Sequence, residues 1–266
     1  MNQANAASGI RAWLAAAAGG LAAALATTLV LAPAQWAAAA VSNASGGRVE
    51  LAEASGSIWN GSATLVLAAG ADRGDRASLP GTLSWTLRPW GLLHGTVDLT
   101  LQHTAALAAP LRIQAEIDGR VRIGAASVRL PASILAGLGA PWNTVRPGGI
   151  LTLRSDGLEV RAGKIQGGLV GEWEYASSAL TPVSPIGHYR LLLTGPYPGT
   201  QVDLQTVSGP LELTGSGTIG EGGHLRFDGI ARALAATDPA TRTQLTGLIA
   251  LLGRSDGEAA ILRLGS

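Results

Sequence analysis

Leu111-Arg112-Ile113-Gln114-Ala115-Glu116-Ile117-Asp118 decides how the chain folds. Apolar and polar residues alternate through it, and a period of two puts the aliphatic side chains on one face of a strand and the polar ones on the other. Val97-Asp98-Leu99-Thr100-Leu101-Gln102 repeats the pattern, as do 121–123, 151–154, 158–161, 202–205, 211–214 and 225–228, with a last short strand at 261–264. Asn60-Gly61, Asp118-Gly119, Asp156-Gly157, Gly195-Pro196 and Gly222-Gly223 supply turn signals between them. The expectation is a mainly β protein with one large curled antiparallel sheet, its aliphatic face turned inward and its outer face carrying Arg, Asp, Glu, Gln and Thr.

Two short helices interrupt this pattern. Residues 131–139 begin at a proline and stop at a glycine. In the second, Asp238 is placed to cap and Pro239 to occupy the first turn; Leu245, Leu248, Ile249 and Leu252 follow at i, i+3, i+4 and i+7. Gly253 stands where a left-handed residue would end that helix. The leucine stripe is expected to lie on the sheet.

The N-terminal segment has another character. No charged side chain occurs between Ala12 and Gly47, and Trp13 and Trp36 bracket 22 residues that are mostly Ala, Leu, Gly, Val and Thr. At ~1.5 Å per residue that is ~33 Å, the thickness of a hydrocarbon core with an aromatic ring near each interface. Pro33 marks the far end. Arg11 precedes the stretch and no acid does, so residues 1–11 read as a cytoplasmic leader, 12–36 as a transmembrane helix and 42–266 as one exported β domain. A cleaved signal peptide is the competing reading, with Ala37-Ala38-Ala39-Ala40 as the small residues at the cut. The apolar core is longer than the 7–15 residues of a signal sequence, which favours a retained anchor; both readings export the rest.

Composition narrows the chemistry. The 266 residues include no Cys, which excludes disulfides, thiolate metal sites and a thiol nucleophile. Nineteen Lys and Arg against 18 acids leave a net charge of +1, no field for nucleic acid. His94, His103, His188 and His224 share no metal-ligand spacing and read as surface or edge histidines. Gly215-Ser216-Gly217-Thr218-Ile219-Gly220 matches a dinucleotide-binding pattern, but it runs into a strand and opens no helix. Glu116 with Asp118, and Glu172 with Glu174, read as a solvated sheet face. Trp59, Trp85, Trp90, Trp142 and Trp173 read as rings that plug sheet ends, with ligand stacking as the alternative. No enzyme, cofactor or metal is expected.

The succession of motifs resembles the type II secretion system protein N family of Gram-negative bacteria. It runs through Gly56-Ser57-Ile58-Trp59-Asn60-Gly61, Leu83-Ser84-Trp85, Pro89-Trp90-Gly91-Leu92-Leu93 and Leu130-Pro131. Gly139-Ala140-Pro141-Trp142-Asn143-Thr144, Arg146-Pro147-Gly148-Gly149 and Gly187-His188-Tyr189 continue it, followed by Ser208-Gly209-Pro210-Leu211 through Gly217, Phe227-Asp228-Gly229 and Leu251-Leu252-Gly253-Arg254. Of these, Trp59, Gly61, Trp85, Pro141, Trp142, Asn143, Gly209, Pro210, Gly215, Gly217, Gly229, Leu252 and Gly253 are the expected structural or contact positions; none is catalytic. The resemblance implies an accessory inner-membrane component of the machine, single-pass with its bulk in the periplasm, that contacts other secretion components. A periplasmic lipid carrier, with the aliphatic face as its groove, is the alternative.

Overall fold

A computed structural model describes residues 31–70, 74–161, 164–196, 199–220 and 224–265, together with 19, 20 and 27. The leader, most of the expected span and the Gly222-Gly223 turn lie outside the described residues. Among the described residues no helix is long and apolar enough to cross a membrane. Pro33 is followed at once by a helix, α1 (Ala34–Ala44), so Trp36 and the alanines from 37 to 40 belong to an element that packs on the sheet. A proline at the cap position lacks the N–H that would have continued an earlier helix through it.

The chain is mainly β, but its strands form two nine-stranded antiparallel sheets where a single sheet was expected. The first sheet contains β1 (Val49–Gly56), β2 (Asn60–Ala68), β3 (Arg76–Ser78), β4 (Leu83–Arg88), β5 (Thr96–His103), β6 (Leu111–Glu116), β7 (Val121–Ile123), β10 (Leu158–Arg161) and β11 (Lys164–Gly167). The second contains β8 (Ala126–Pro131), β9 (Gly148–Ser155), β12 (Leu169–Ser177), β13 (Gly187–Thr194), β14 (Thr200–Ser208), β15 (Leu211–Ile219), β16 (Leu225–Ala233), β17 (Arg254–Asp256) and β18 (Ala259–Leu264). Three strand pairs run from one sheet into the other: β7 into β8, β9 into β10 and β11 into β12.

Asp156-Gly157 is therefore a bend inside a long strand and not a hairpin turn. Arg154 pairs with Val170 and Leu158 with Gly167, so the chain takes four steps where its partner takes three. The extra residue is a bulge, and it switches the side-chain parity from odd (Leu151, Leu153) to even (Leu158, Val160). Aliphatic side chains thus stay on one side across the bend, as an inward curl requires. Asn60 closes the β1–β2 hairpin, its carbonyl accepting from the Ser57 N–H at 2.9 Å, and Gly61 follows in β2, directly opposite Trp85 and beneath its ring, where any Cβ would collide.

Three elements cover parts of the apolar side. α1 sets Ala34 and Ala37 against Trp85, Ala63 and Leu99. A 3-10 helix, Ala132–Leu138, carries Ile134 between Leu65 and Leu67 of the first sheet and Val128 and Leu130 of the second. The 14-residue helix α3 (Pro239–Leu252) buries Leu245, Leu248 and Ile249 against Leu211, Ala231 and Ala260. A third helix, α2 (Trp142–Val145), is a single turn. Asp238 caps α3 through the Thr241 N–H at 3.0 Å. Gly253 is extended (φ −173°) and not left-handed, since the chain passes straight into β17, where a Cβ would collide with the Ile261 carbonyl.

His103, read as a surface or edge histidine, is 4% exposed, in a strand flanked by β4 and β6. Its Nδ1 accepts hydrogen bonds from the N–H groups of Ala105 (3.2 Å) and Ala106 (3.1 Å). They shape the loop whose Ala106 carbonyl accepts from the Arg129 N–H at 2.8 Å and covers the edge of β8. Burial holds the His103 pKa below its ordinary 6.5, so the unfolded chain takes up the proton first as the pH falls. Its contribution is complete above about pH 6.5 and declines below it. The urea midpoint should fall as the pH drops below about 6.5, and His103→Asn, which keeps a short acceptor for the loop, should flatten that fall.

Candidate functional site

α3 covers only part of the second sheet's apolar face. Trp173 and Tyr189 mark the limit, their ring centroids 5.8 Å apart and tilted by 48°. Each ring is fixed by a polar anchor, which a buried Trp or Tyr needs. Trp173 Nε1–H donates to the Gly148 carbonyl at 2.8 Å, and the Tyr189 hydroxyl donates to the Leu211 carbonyl at 2.9 Å. Burial pushes that hydroxyl's pKa upward, which keeps it neutral.

Beyond these rings lies a groove of about 500 Å³. Leu151 and Leu153 of β9, Leu191 and Leu193 of β13, and Val202 and Leu204 of β14 supply one part of its lining; Ile219, Leu225 and Phe227 supply another, and Trp142 stands among them. A second hollow, about 480 Å³, shares Leu204 and Phe227 and runs beside Leu252, Gly253 and Arg254. Most of the leucines are only half-buried, so the groove is an apolar surface still in contact with water. Half-buried aliphatic area of this kind rewards whatever covers it at about 25 cal/mol per Å².

Glycine shapes the floor. Gly215 pairs with Gly229 and Gly217 with Phe227, and a Cβ on Gly215 or Gly229 would strike the Phe227 ring. The ring lies across strands that carry no side chain there, filling the gap the glycines leave. Gly171 is different: a Cβ there would make only ordinary contacts, 3.4 Å from Leu153 and 3.6 Å from Leu191, at a position that lines the groove.

The opposite face is charged. Glu172 receives Arg190 at 2.8 Å and Arg154 at 3.0 Å from the two neighbouring strands. The hydrogen bond from Arg190 holds its carboxyl below the usual value, so this pairing is lost only as the pH drops below about 4.5. Glu116 meets Arg122 at 2.7 Å, and Arg120 and Arg122 also reach Glu159. These acids are strapped to arginines across strands, a more ordered arrangement than a merely solvated face.

The thirteen expected positions fall into separate groups. Gly61 and Trp85 lie in the first sheet and Trp59 in the turn between β1 and β2, with Trp85 Nε1–H donating to the Ile58 carbonyl at 3.1 Å. Trp142, Gly215, Gly217, Gly229, Leu252 and Gly253 gather at the groove and its extension. Pro141 caps the α2 turn that carries Trp142, and Asn143 Nδ2 donates to Asp75 at 2.8 Å, tying that turn to the first sheet. Gly209 and Pro210 form the β14–β15 turn; Gly209 has φ +117° and packs on Gly187, and the Pro210 carbonyl accepts from the Leu234 N–H at 2.8 Å.

Two tryptophans depart from the packing expectation: Trp90 is 76% exposed and Trp142 38%. The groove leucines themselves were not singled out by sequence reasoning. Each is one apolar half of an alternation, and period two reports the face but not what covers it. The histidines are not brought together. His94 ends the 3-10 helix before β5 and His103 ends β5 itself, while His188 lies in β13 and His224 precedes β16. Among the described residues no group of three His, Asp or Glu is placed to hold a metal.

Among curated proteins and among solved structures no match to this chain is found. Residues 47–262 do match a family, described as type II secretion system (T2SS), protein N, and that stretch takes in both sheets, α3 and the groove. With the match covering well over half its length, the chain belongs to the type II secretion system protein N family and is a component of that secretion machine.

Proposed function

We propose that the protein is an accessory inner-membrane component of the secretion machine, held by its N-terminal span and acting by contact and not by turnover. The observation that carries this reading is the open apolar groove beside α3, which Trp142 lines and whose extension Leu252 and Gly253 line. A span that confines the domain near its partners raises their effective concentration toward the ~mM range, so an interface of modest area stays occupied. The partner supplies an apolar segment that completes the sheet's aliphatic face, and the ion-paired outer face stays in water.

Gly171→Leu tests this: its Cβ meets only ordinary van der Waals contacts, with Leu153 and Leu191, and the rest of the side chain extends into the groove that Gly171 lines. The expected result is an unchanged urea midpoint together with type II substrates retained in the periplasm. A photo-crosslinking residue in place of Leu193 should join the chain to another type II secretion component. Normal export by the Gly171→Leu variant would refute the groove's role. The aliphatic lining and volume of the groove favour one second reading, a lipid-binding protein; crosslinks from position 193 to phospholipid and to no secretion component would select it.

A further inference from the structure

One end of the first sheet is built from turns joined in series by backbone hydrogen bonds. The Ile58 N–H donates to the Ala32 carbonyl at 2.9 Å, the Leu87 N–H to Trp59 at 2.7 Å, and the Ile117 N–H to Gly95 at 2.9 Å. Pro33 also bridges Ser57. The 3-10 helix Pro89–His94 sits in this row, between β4 and β5. The rim it forms presents Trp90 at 76% exposure and Ile117 at 90%. Alternation would have put Ile117 on the apolar face, but β6 stops at Glu116. Asp118 Oδ1 accepts from the Arg120 N–H at 3.0 Å, Gly119 takes φ +81°, and the turn thrusts Ile117 outward.

We propose that this rim rests on the membrane that holds the N-terminal span, with Trp90 and Ile117 in the lipid–water interface. The inference rests on the anchor reading and goes further, because it orients the domain. Its decisive feature is the absence of a spacer. Residues 12–31 carry no charge, and at ~1.5 Å per residue their 20 positions would make ~30 Å of helix, one hydrocarbon thickness. Ala32, the next residue, is already hydrogen-bonded into the rim. The rim therefore cannot stand away from the bilayer surface, and side chains that protrude from it meet the interfacial layer. Trp is the residue that layer favours, its ring amphipathic, and an exposed Ile gains there what water denies it. Arg161 and Asp118, ion-paired at 3.5 Å nearby, fall at the headgroup level. Leu31, 70% exposed, continues the same apolar rim into the span.

The lack of cysteine makes the test direct. Single substitutions Trp90→Cys, Ile117→Cys, Ser216→Cys and Leu25→Cys in the full chain are each labelled with a nitroxide. The variants are reconstituted into vesicles of three parts phosphatidylethanolamine to one part phosphatidylglycerol. Collision with oxygen, which concentrates in lipid, is compared with collision with a water-soluble nickel chelate. Labels at 90 and 117 should meet the chelate several-fold less often than the label at 216 on the outer face of the second sheet, and oxygen more often. Chelate access at 90 and 117 equal to that at 216, with the label at 25 deep in lipid, would leave the anchor standing and overturn the proposal. Shielding of 90 and 117 from both reagents would signify a protein contact, such as a second copy, and would overturn it too. Chelate access at 25 would overturn the anchor, and this orientation with it.

Discussion

Trp85→Ala should lower the unfolding free energy by about 3–5 kcal/mol, the cost of emptying a buried aromatic site. The indole is 5% exposed and joins three elements at once: Ala34 and Ala37 of α1, Ala63 of β2, and Leu99 and Leu101 of β5. Gly61 has surrendered its side chain to make room for the ring, so the neighbouring backbone cannot move in to close the cavity. Removal also leaves the Ile58 carbonyl without its donor. Trp85→Phe separates the two contributions: it keeps most of the ring and loses the N–H, for about 1–3 kcal/mol. Urea unfolding of a form that begins at residue 31, so that α1 is kept, measures both. A loss below about 1 kcal/mol for Trp85→Ala would mean that α1 is not docked on this ring.

Leu248→Ala should cost about 2–4 kcal/mol in the same assay. Leu248 is 2% exposed and stands between Leu245 and Ile249 in the stripe of α3 that presses on β15, β16 and β18. The cavity would open between a helix and a sheet whose strands are fixed on both sides, which restricts collapse. Gln244→Ala, on the exposed side of the same helix, should be nearly silent. Its carbonyl accepts from the Thr181 hydroxyl at 3.0 Å, and that bond is a backbone matter that the substitution leaves in place. A cost below about 0.5 kcal/mol for Leu248→Ala would contradict the docking of α3.

These two sites differ in how far the sequence revealed them. The Leu stripe of α3 was legible because a period of 3.6 and an Asp-Pro start are local signals, and both ends of the helix fall where they indicate. Trp85 was legible only as a ring on a strand. Its partner Gly61 looked like half of a turn, since Asn-Gly favours turns wherever the flanking strands allow one, and only the cross-strand register shows it as the space beneath an indole. His103 was misread for the same reason. Its burial comes from a loop folding over it, and no spacing along the chain reports that.

The sequence by itself determined the class of the fold, the face each residue takes within a strand, the position of α3 and the family. All of these follow from interactions between residues a few positions apart, or from the order of short motifs. The division into two sheets was decided by tertiary structure. It shows in which strands pair on each side of the three crossings, and the extra residue near Gly157 exists only relative to the register of β11 and β12. The groove was decided there as well: every apolar face is equal in an alternating pattern, and which one stays open depends on how far α3, only 14 residues long, reaches across the sheet. The same holds for the rim of Trp90 and Ile117. A backbone hydrogen bond set Ile117 beside Gly95, just past the 3-10 helix that carries Trp90, and the chain enters that rim at Ala32 with no spacer before it.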